Sequence, residues 1–177
     1  MKRNVTVLAK NPFTTKVKTR LAREIGVDAA RGIYARLLYQ TIISLVSTSE
    51  ADTSITLNLF SHTDQGFFKD AFPELAVTSQ ASGDLGNKIQ QSLQQAFQSG
   101  AQQAIVIGTD LPSMNWELLN QAFDQIKEKT PEVKDEATRK YVTCVCSAVT
   151  SALPELRTVR KWNISVFRKD DMINAFA

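Results

Sequence analysis

Glycine runs out partway along this sequence: the chain has seven, and none follows Gly108. The later residues therefore lack the residue that most readily takes a positive φ or lets a backbone approach a ligand closely. Histidine is nearly absent too, with His62 alone. It has no visible nucleophile partner, so Ser-His-Asp hydrolysis has little support, and His62 reads as a loop residue. Cysteine is limited to Cys144 and Cys146, one residue apart. That spacing does not easily close an unstrained disulfide, and the further ligands of a zinc site are missing. The pattern fits a reducing compartment. No apolar run reaches the length of a membrane span, and Val5 to Ala9 is too short for the apolar core of a signal peptide. A cytoplasmic protein with no membrane span is the expectation. Like charges form no runs, and the net charge is only +3. Neither supports a nucleic-acid-binding stripe, and no nucleic-acid partner is expected.

What is present is an ordinary globular composition, 177 residues with 43% hydrophobic, enough for one domain with a real core. Val5 to Ala9 reads as a first strand, followed by a loop from Lys10 to Thr19 in which Pro12 excludes regular structure. Arg20 to Ile25 predicts a short helix stopped by Gly26. Asp28 is the expected N-cap of a second helix, with Ala30, Ile33, Tyr34, Leu37, Thr41 and Leu45 as its apolar stripe. Ile55, Leu57 and Leu59 alternate with Thr56, Asn58 and Phe60 as a second strand. A short helix from Gly66 to Phe72, a third strand from Leu75 to Ser79 and a helix opened by Asp84 and stopped by Gly100 follow. Gln103 to Gly108 is nearly all apolar, which predicts a central strand. Ser113 or Asn115 then caps a helix that buries Leu119, Ala122, Phe123 and Ile126. Beyond residue 128, Tyr141 to Val149 and Asn163 to Phe167 are candidate strands, and Lys127 to Lys140 is a charge-rich exposed stretch.

Strands that alternate with helices predict an α/β three-layer sandwich with a mainly parallel sheet. Right-handed crossovers then bring the strand-to-helix loops to one edge: Lys10 to Arg20, His62 to Gly66, Gln80 to Gly86 and Thr109 to Ser113. In open α/β sheets that edge is where ligands bind. Lys10, Lys16, Lys18 and Arg20 bring cations and Thr19 a hydroxyl, a set suited to phosphate oxygens or simply to solvation. Asp110 follows an apolar strand. A carboxylate there suits Mg²⁺ or Mn²⁺ shared with substrate phosphates, or a turn or cap. Gly83-Asp84-Leu85-Gly86 permits close approach at a helix start, or a simple glycine turn with an Asp cap.

In combination the segments say more. Ala9-Lys10-Asn11-Pro12, Lys18-Thr19-Arg20-Leu21, Gly83-Asp84-Leu85-Gly86 and Gly108-Thr109-Asp110-Leu111-Pro112, in this order, resemble a family of small bacterial glycosyltransferase-like proteins. That family is the radical-SAM/selenodomain-associated transferase 1 family. It is similar to 2-phospholactate guanylyltransferase and the molybdenum-cofactor guanylyltransferases, within the nucleotide-diphospho-sugar transferase (GT-A) superfamily. The resemblance covers roughly the first 125 residues. It implies that Lys10, Lys18 and Arg20 grip phosphates and that the stretch from Asp84 to Lys88 borders the base or ribose. It adds Thr19, Gly83, Gly86 and Thr109 as substrate contacts, and Asp110 as ligand of Mg²⁺ or Mn²⁺. Lys18, Arg20 and Asp110 are then the catalytic set.

The implied reaction is attack by an acceptor on a nucleotide-diphosphate sugar. The alternatives are a nucleotidyltransferase using an NTP and a catalytically inactive nucleotide-binding or assembly protein. The expected organisation is one domain over residues 1–177. Residues 1–128 form its nucleotide-binding half, and 129–177 a divergent tail that could serve as acceptor side or, across residues 141–168, as a homodimer interface. Two departures stand out. Thr15 replaces the family's usual glycine. The downstream Asp-Gly-Gly-Tyr-Tyr segment is missing, and Asp135 and Asp170 stand in the wrong context to substitute for it.

Overall fold

On a pleated strand Val5, Val7 and Ala9 share one face, and Asn4, Thr6 and Leu8 the other. In the computed structural model, which describes residues 2–47, 51–110, 114–128, 141–144 and 167–168, this segment is β1 (Arg3–Ala9). It is followed by α1 (Thr19–Ile25), α2 (Val27–Val46), β2 (Thr53–Leu59), a 3-10 turn (His62–Asp64) and α3 (Gln65–Ala71). Then come β3 (Ala76–Ser79), α4 (Leu85–Gln98), β4 (Gln103–Ile107), α5 (Trp116–Glu128), β5 (Tyr141–Cys144) and β6 (Phe167–Arg168).

Among the described residues the sheet has six strands in the order β3-β2-β1-β4-β5-β6. All pairings are parallel except β5 with β6, which is antiparallel. The expected mainly parallel α/β sheet is therefore present, and the strand-to-helix loops after β1 to β4 lie on one edge. The register sets Ala9 beside Leu59, Leu59 beside Ser79, and Val7 beside Ile107.

The two sheet faces differ in chemistry. One buries Val5, Val7, Leu57, Leu59, Ile105 and Ile107 against Tyr34, Leu38, Ile42 and Leu45 of α2, Phe68 of α3, and Leu119, Ala122 and Phe123 of α5. Trp116 ties these helices together by donating its Nε1 proton to the Leu45 carbonyl at 3.0 Å. The other face carries a smaller cluster: Ala104 and Val106 under Leu93 and Ala96 of α4. Here β1 and β2 present polar side chains. Asn4 donates to Ser54 and Thr56 and accepts from Thr6, and Asn58 donates to Ser92 at 3.1 Å. Helices thus cover both faces, the three-layer arrangement that strand–helix alternation predicts.

Two local expectations change, and a third is narrowed to one of its alternatives. The second helix starts at Val27 with Gly26 as cap, so Asp28 lies inside the first turn and pairs with Arg31 at 3.0 Å. Gly26, at φ 88°, serves as C-cap of α1 and N-cap of α2 at once, and its freedom from a Cβ makes this sharp junction possible. The stripe of α2 is Ala30, Tyr34, Leu38, Thr41, Ile42 and Leu45. Ile33 is exposed and Leu37 only half-buried, because at about 3.6 residues per turn both fall to one side of the arc that these six share. Asn115, not yet helical, caps α5 by accepting from the Leu118 amide at 2.9 Å.

Ser113, Cys146, Asp135, Asp170, most of the charge-rich stretch from Lys127 to Lys140, and residues 145–166, with the greater part of the expected tail interface, lie outside the described residues, as does the side chain of Ile126. No helix among the described residues is long and apolar enough to cross a membrane.

Candidate functional site

The chain winds outward from β1 to β3, then crosses back to lay β4 on the other side of β1. Strand order therefore reverses between β1 and β4. The crevice outside their carboxyl ends is the position at which open α/β sheets bind ligands. Lys10 leaves one wall of this crevice, and Thr109 and Asp110 leave the other.

From beneath, α2 sends Tyr34 into the crevice. Its hydroxyl accepts the Lys10 amide proton at 2.9 Å and is hydrogen-bonded to the Thr109 side chain. Burial pushes this phenol above its ordinary value of 10.0; the hydrogen bonds to Thr109 and the Lys10 amide oppose the shift, and the charge on Asp110 adds to it. The sequence marked Tyr34 only as one member of an apolar stripe. Its position two turns into α2, level with the ends of β1 and β4, is a tertiary fact.

Lys18 closes the crevice from above. Its Nζ lies 2.6 Å from Asp110 Oδ1, with both side chains partly exposed (22% and 32%). The expected convergence of the basic loop with Asp110 is thus a direct ion pair. Lys18 is also the one non-glycine residue with positive φ among those described, at φ 48° and ψ 42°. Such backbone strain collects at functional sites. Arg20, placed with Lys18 by sequence, sits on the exposed first turn of α1 and forms no ion pair among the described residues. Thr19, also exposed, begins that helix.

The loop between β1 and α1 is held by a carboxylate that sequence reasoning passed over. Asp64, buried in the 3-10 turn after β2, accepts from the Thr14 hydroxyl at 2.9 and 3.1 Å and from the Asn11 amide at 3.1 Å. Asn11 accepts in turn from the Phe13 amide, and the Thr15 amide donates to the Asn11 carbonyl at 2.9 Å. Thr15 therefore has its amide committed within the loop. On the far side of this loop a cavity of about 360 Å³ is lined by Thr15, Lys16, Thr19, Arg23 and Arg31, among others. Lys18, Arg20 and Asp110 are not on its wall.

A second group of expected contacts gathers at the ends of β1 and β2. The Phe60 amide donates to the Ala9 carbonyl at 2.9 Å, and Gln80 spans the two strands by donating to the Ala9 and Asn58 carbonyls. Lys10 Nζ lies 4.8 Å and Lys88 Nζ 4.7 Å from the centroid of the Phe60 ring. Gly83 precedes the helix at φ 108°, and a Cβ there would stand 2.7 Å from the Asn87 side chain. Asp84 caps α4, with Oδ1 accepting from the Asn87 amide at 2.8 Å. Gly86 packs its backbone beside that carboxylate.

The donor set bears on the expected Mg²⁺ or Mn²⁺. No group of three or more His, Cys, Asp or Glu side chains suited to a metal exists among the described residues. Asp110 with an ammonium against it does not hold a divalent ion by itself. Its hard oxygen suits an ion that arrives already bound to phosphate oxygens, once Lys18 turns toward those same oxygens. Leu111 and Pro112, which complete the segment, lie outside the described residues.

A family model described as "Uncharacterized protein conserved in bacteria (DUF2064)" matches residues 44–137, which include Phe60, Gly83 to Lys88 and Asp110. Among curated proteins none matches. Of solved structures, one described as a "putative nucleotide-diphospho-sugar transferase" from Desulfovibrio desulfuricans G20 is similar, with 24% identity and a TM-score of 0.64. The match covers 72% of this chain and 55% of that one, so the chain spans about half the length of that protein. The likeness establishes the shared fold.

Proposed function

The chain belongs to the bacterial family DUF2064, and from that starting point we propose that it is a glycosyltransferase-like enzyme that takes a nucleotide-diphosphate sugar as donor. The observation that carries this reading is the meeting of Lys18 and Asp110 at 2.6 Å over the crevice where strand order reverses. The similarity to a protein described as a nucleotide-diphospho-sugar transferase supports it. The more specific membership proposed is the radical-SAM/selenodomain-associated transferase 1 group, with residues 1–128 as the nucleotide-binding half and the cytoplasm as the compartment.

In the proposed reaction an acceptor hydroxyl attacks the anomeric carbon. The bond from that carbon to the β-phosphate oxygen breaks, the nucleoside diphosphate leaves with the electron pair, and the acceptor's proton passes to the departing phosphate oxygen. Lys18 exchanges Asp110 for the departing phosphate, and Lys10 stands on the opposite wall of the crevice. Positive charge aimed at the leaving group stabilises it most where water is scarce. A divalent ion held by Asp110 and the diphosphate would supply further neutralisation of that charge. Arg20, exposed on α1, is the further cation proposed to meet an incoming phosphate.

A thermal-shift panel of nucleotides and nucleotide sugars, with and without Mg²⁺ or Mn²⁺, tests the reading. A ligand that binds only the folded state raises the melting temperature with the logarithm of its concentration. The expected outcome is a metal-dependent rise that Asp110→Asn abolishes and Arg20→Ala weakens. No rise with any ligand, or equal rises in parent and both variants, overturns it. Release of pyrophosphate from an NTP would instead identify a nucleotidyltransferase. Binding without turnover would identify the non-catalytic reading, which the missing downstream Asp-Gly-Gly-Tyr-Tyr segment favours.

A further inference from the structure

Phe60 is a large apolar side chain left 45% exposed at the end of a buried strand. Its neighbours make this unusual. Lys10, from the end of β1, and Lys88, from the first turn of α4, both bring ammonium groups within 5 Å of the ring centroid, at 4.8 and 4.7 Å. Two like charges converging on one exposed ring repel each other, and a ring face attracts each of them only weakly in contact with water. An anion beside the two ammoniums relieves that repulsion. The same strand fixes where the ring stands. Asn58, two residues earlier and hence on the same face, donates to Ser92, and Ser92 is one turn beyond Lys88 on α4. Phe60 therefore stands on the α4 side of the sheet, directly before the start of that helix. Its amide is held by the Ala9 carbonyl, so its position is set by the β1–β2 ladder and not by a loop.

A flat π-face with two ammoniums beside it suits a ligand that has both an aromatic plane and negative charge. A nucleotide has both. We propose that Phe60 is the base platform of the site. The base of a nucleoside diphosphate stacks on the Phe60 ring, and Lys10 and Lys88 leave the ring to meet the phosphates. Stacking on an aromatic face tolerates any base, so this residue supplies affinity without choosing among the four. The inference rests on the proposed donor chemistry and goes further by assigning the base to one side chain.

Calorimetric titration of the full chain with UDP, GDP, ADP and CDP, and separately with inorganic pyrophosphate, all with Mg²⁺, separates the two claims. Phe60→Ala and Phe60→Leu are expected to weaken nucleoside diphosphates about tenfold, the lower range of one lost base stack. Pyrophosphate binding should stay within about twofold, since it has no base to lose. Phe60→Trp should keep nucleotide affinity, and its added fluorescence should quench on nucleotide and not on pyrophosphate. Lys10→Ala and Lys88→Ala should weaken both ligand classes. Parent protein that binds nucleoside diphosphates while Phe60→Ala and Phe60→Leu bind them equally well overturns the platform alone. So does an equal loss of nucleotide and pyrophosphate in variants whose melting temperature matches the parent's. Parent protein that binds none of these ligands overturns the functional proposal and the platform with it.

Discussion

Lys18 combines a left-handed backbone with an ion pair across the crevice. The two properties act in opposite directions on stability. A non-glycine residue in that conformation costs about 1–2 kcal/mol, and a partly exposed ion pair returns at most about 1 kcal/mol. Replacing Lys18 with glycine removes both contributions, whereas alanine removes only the favourable one. Lys18→Gly should therefore unfold in urea at a higher concentration than Lys18→Ala, with a gap of about 1 kcal/mol. Both variants should lose nucleotide binding to a similar extent. Equal stability of the two would show that the backbone at this position is unstrained.

The helix α4 begins with a turn that divides its work among three residues. Gly83 takes φ 108°, Asp84 caps, and Gly86 lies beside the capping oxygen. Loss of an N-cap carboxylate costs about 1 kcal/mol. Asp84→Ala should lower the stability of the chain by that amount in denaturant unfolding, while Asp84→Ser should retain most of it. This element was legible in the sequence because its signals are local: an Asp before an apolar stripe and a Gly after it. The same holds for β1, β2, β4 and the Gly26 stop. Less legible was the start of α2, where Asp28 resembles a cap and the geometry of Gly26 displaces it by two positions. The site shows the same division. Lys10, Lys18 and Asp110 could be named because charge that follows an apolar strand is visible in sequence, whereas Lys88, on α4, came only with the resemblance. Tyr34, Phe60, Asp64 and Gln80 could not. Each acts through partners far along the chain, such as the Lys10 amide for Tyr34 and Thr14 for Asp64, and apolar or loop context hid their roles.

Across the molecule, the point of strand reversal is also a mechanical junction. Tyr34 connects α2 to the ends of β1 and β4, and its raised pKa makes that junction sensitive to alkali. The neutral phenol is the form favoured by folding. Its contribution is fully present below about pH 10, where the unfolded tyrosine titrates, and is lost as pH rises through the higher folded value. Melting temperature followed from pH 8 to 11 should fall above about pH 10 in the parent. Tyr34→Phe should be less stable at neutral pH by about 1 kcal/mol for its lost hydrogen bonds and should show a shallower alkaline decline. An unchanged slope in the variant would place the alkaline sensitivity elsewhere.

The Asp64 clasp has a kinetic consequence. With Asn11 and Thr14 fastened to the 3-10 turn, the root of the basic loop is anchored whether or not Lys18 holds Asp110. Admitting a ligand then requires only side-chain rotations: Lys18 from carboxylate to phosphate, and Lys10 and Lys88 away from the Phe60 ring. Rotamer changes of that kind take picoseconds to nanoseconds, far faster than rearrangement of a whole segment. The entrance should open at a rate set by side chains alone, leaving the arrival of the ligand itself as the slow event.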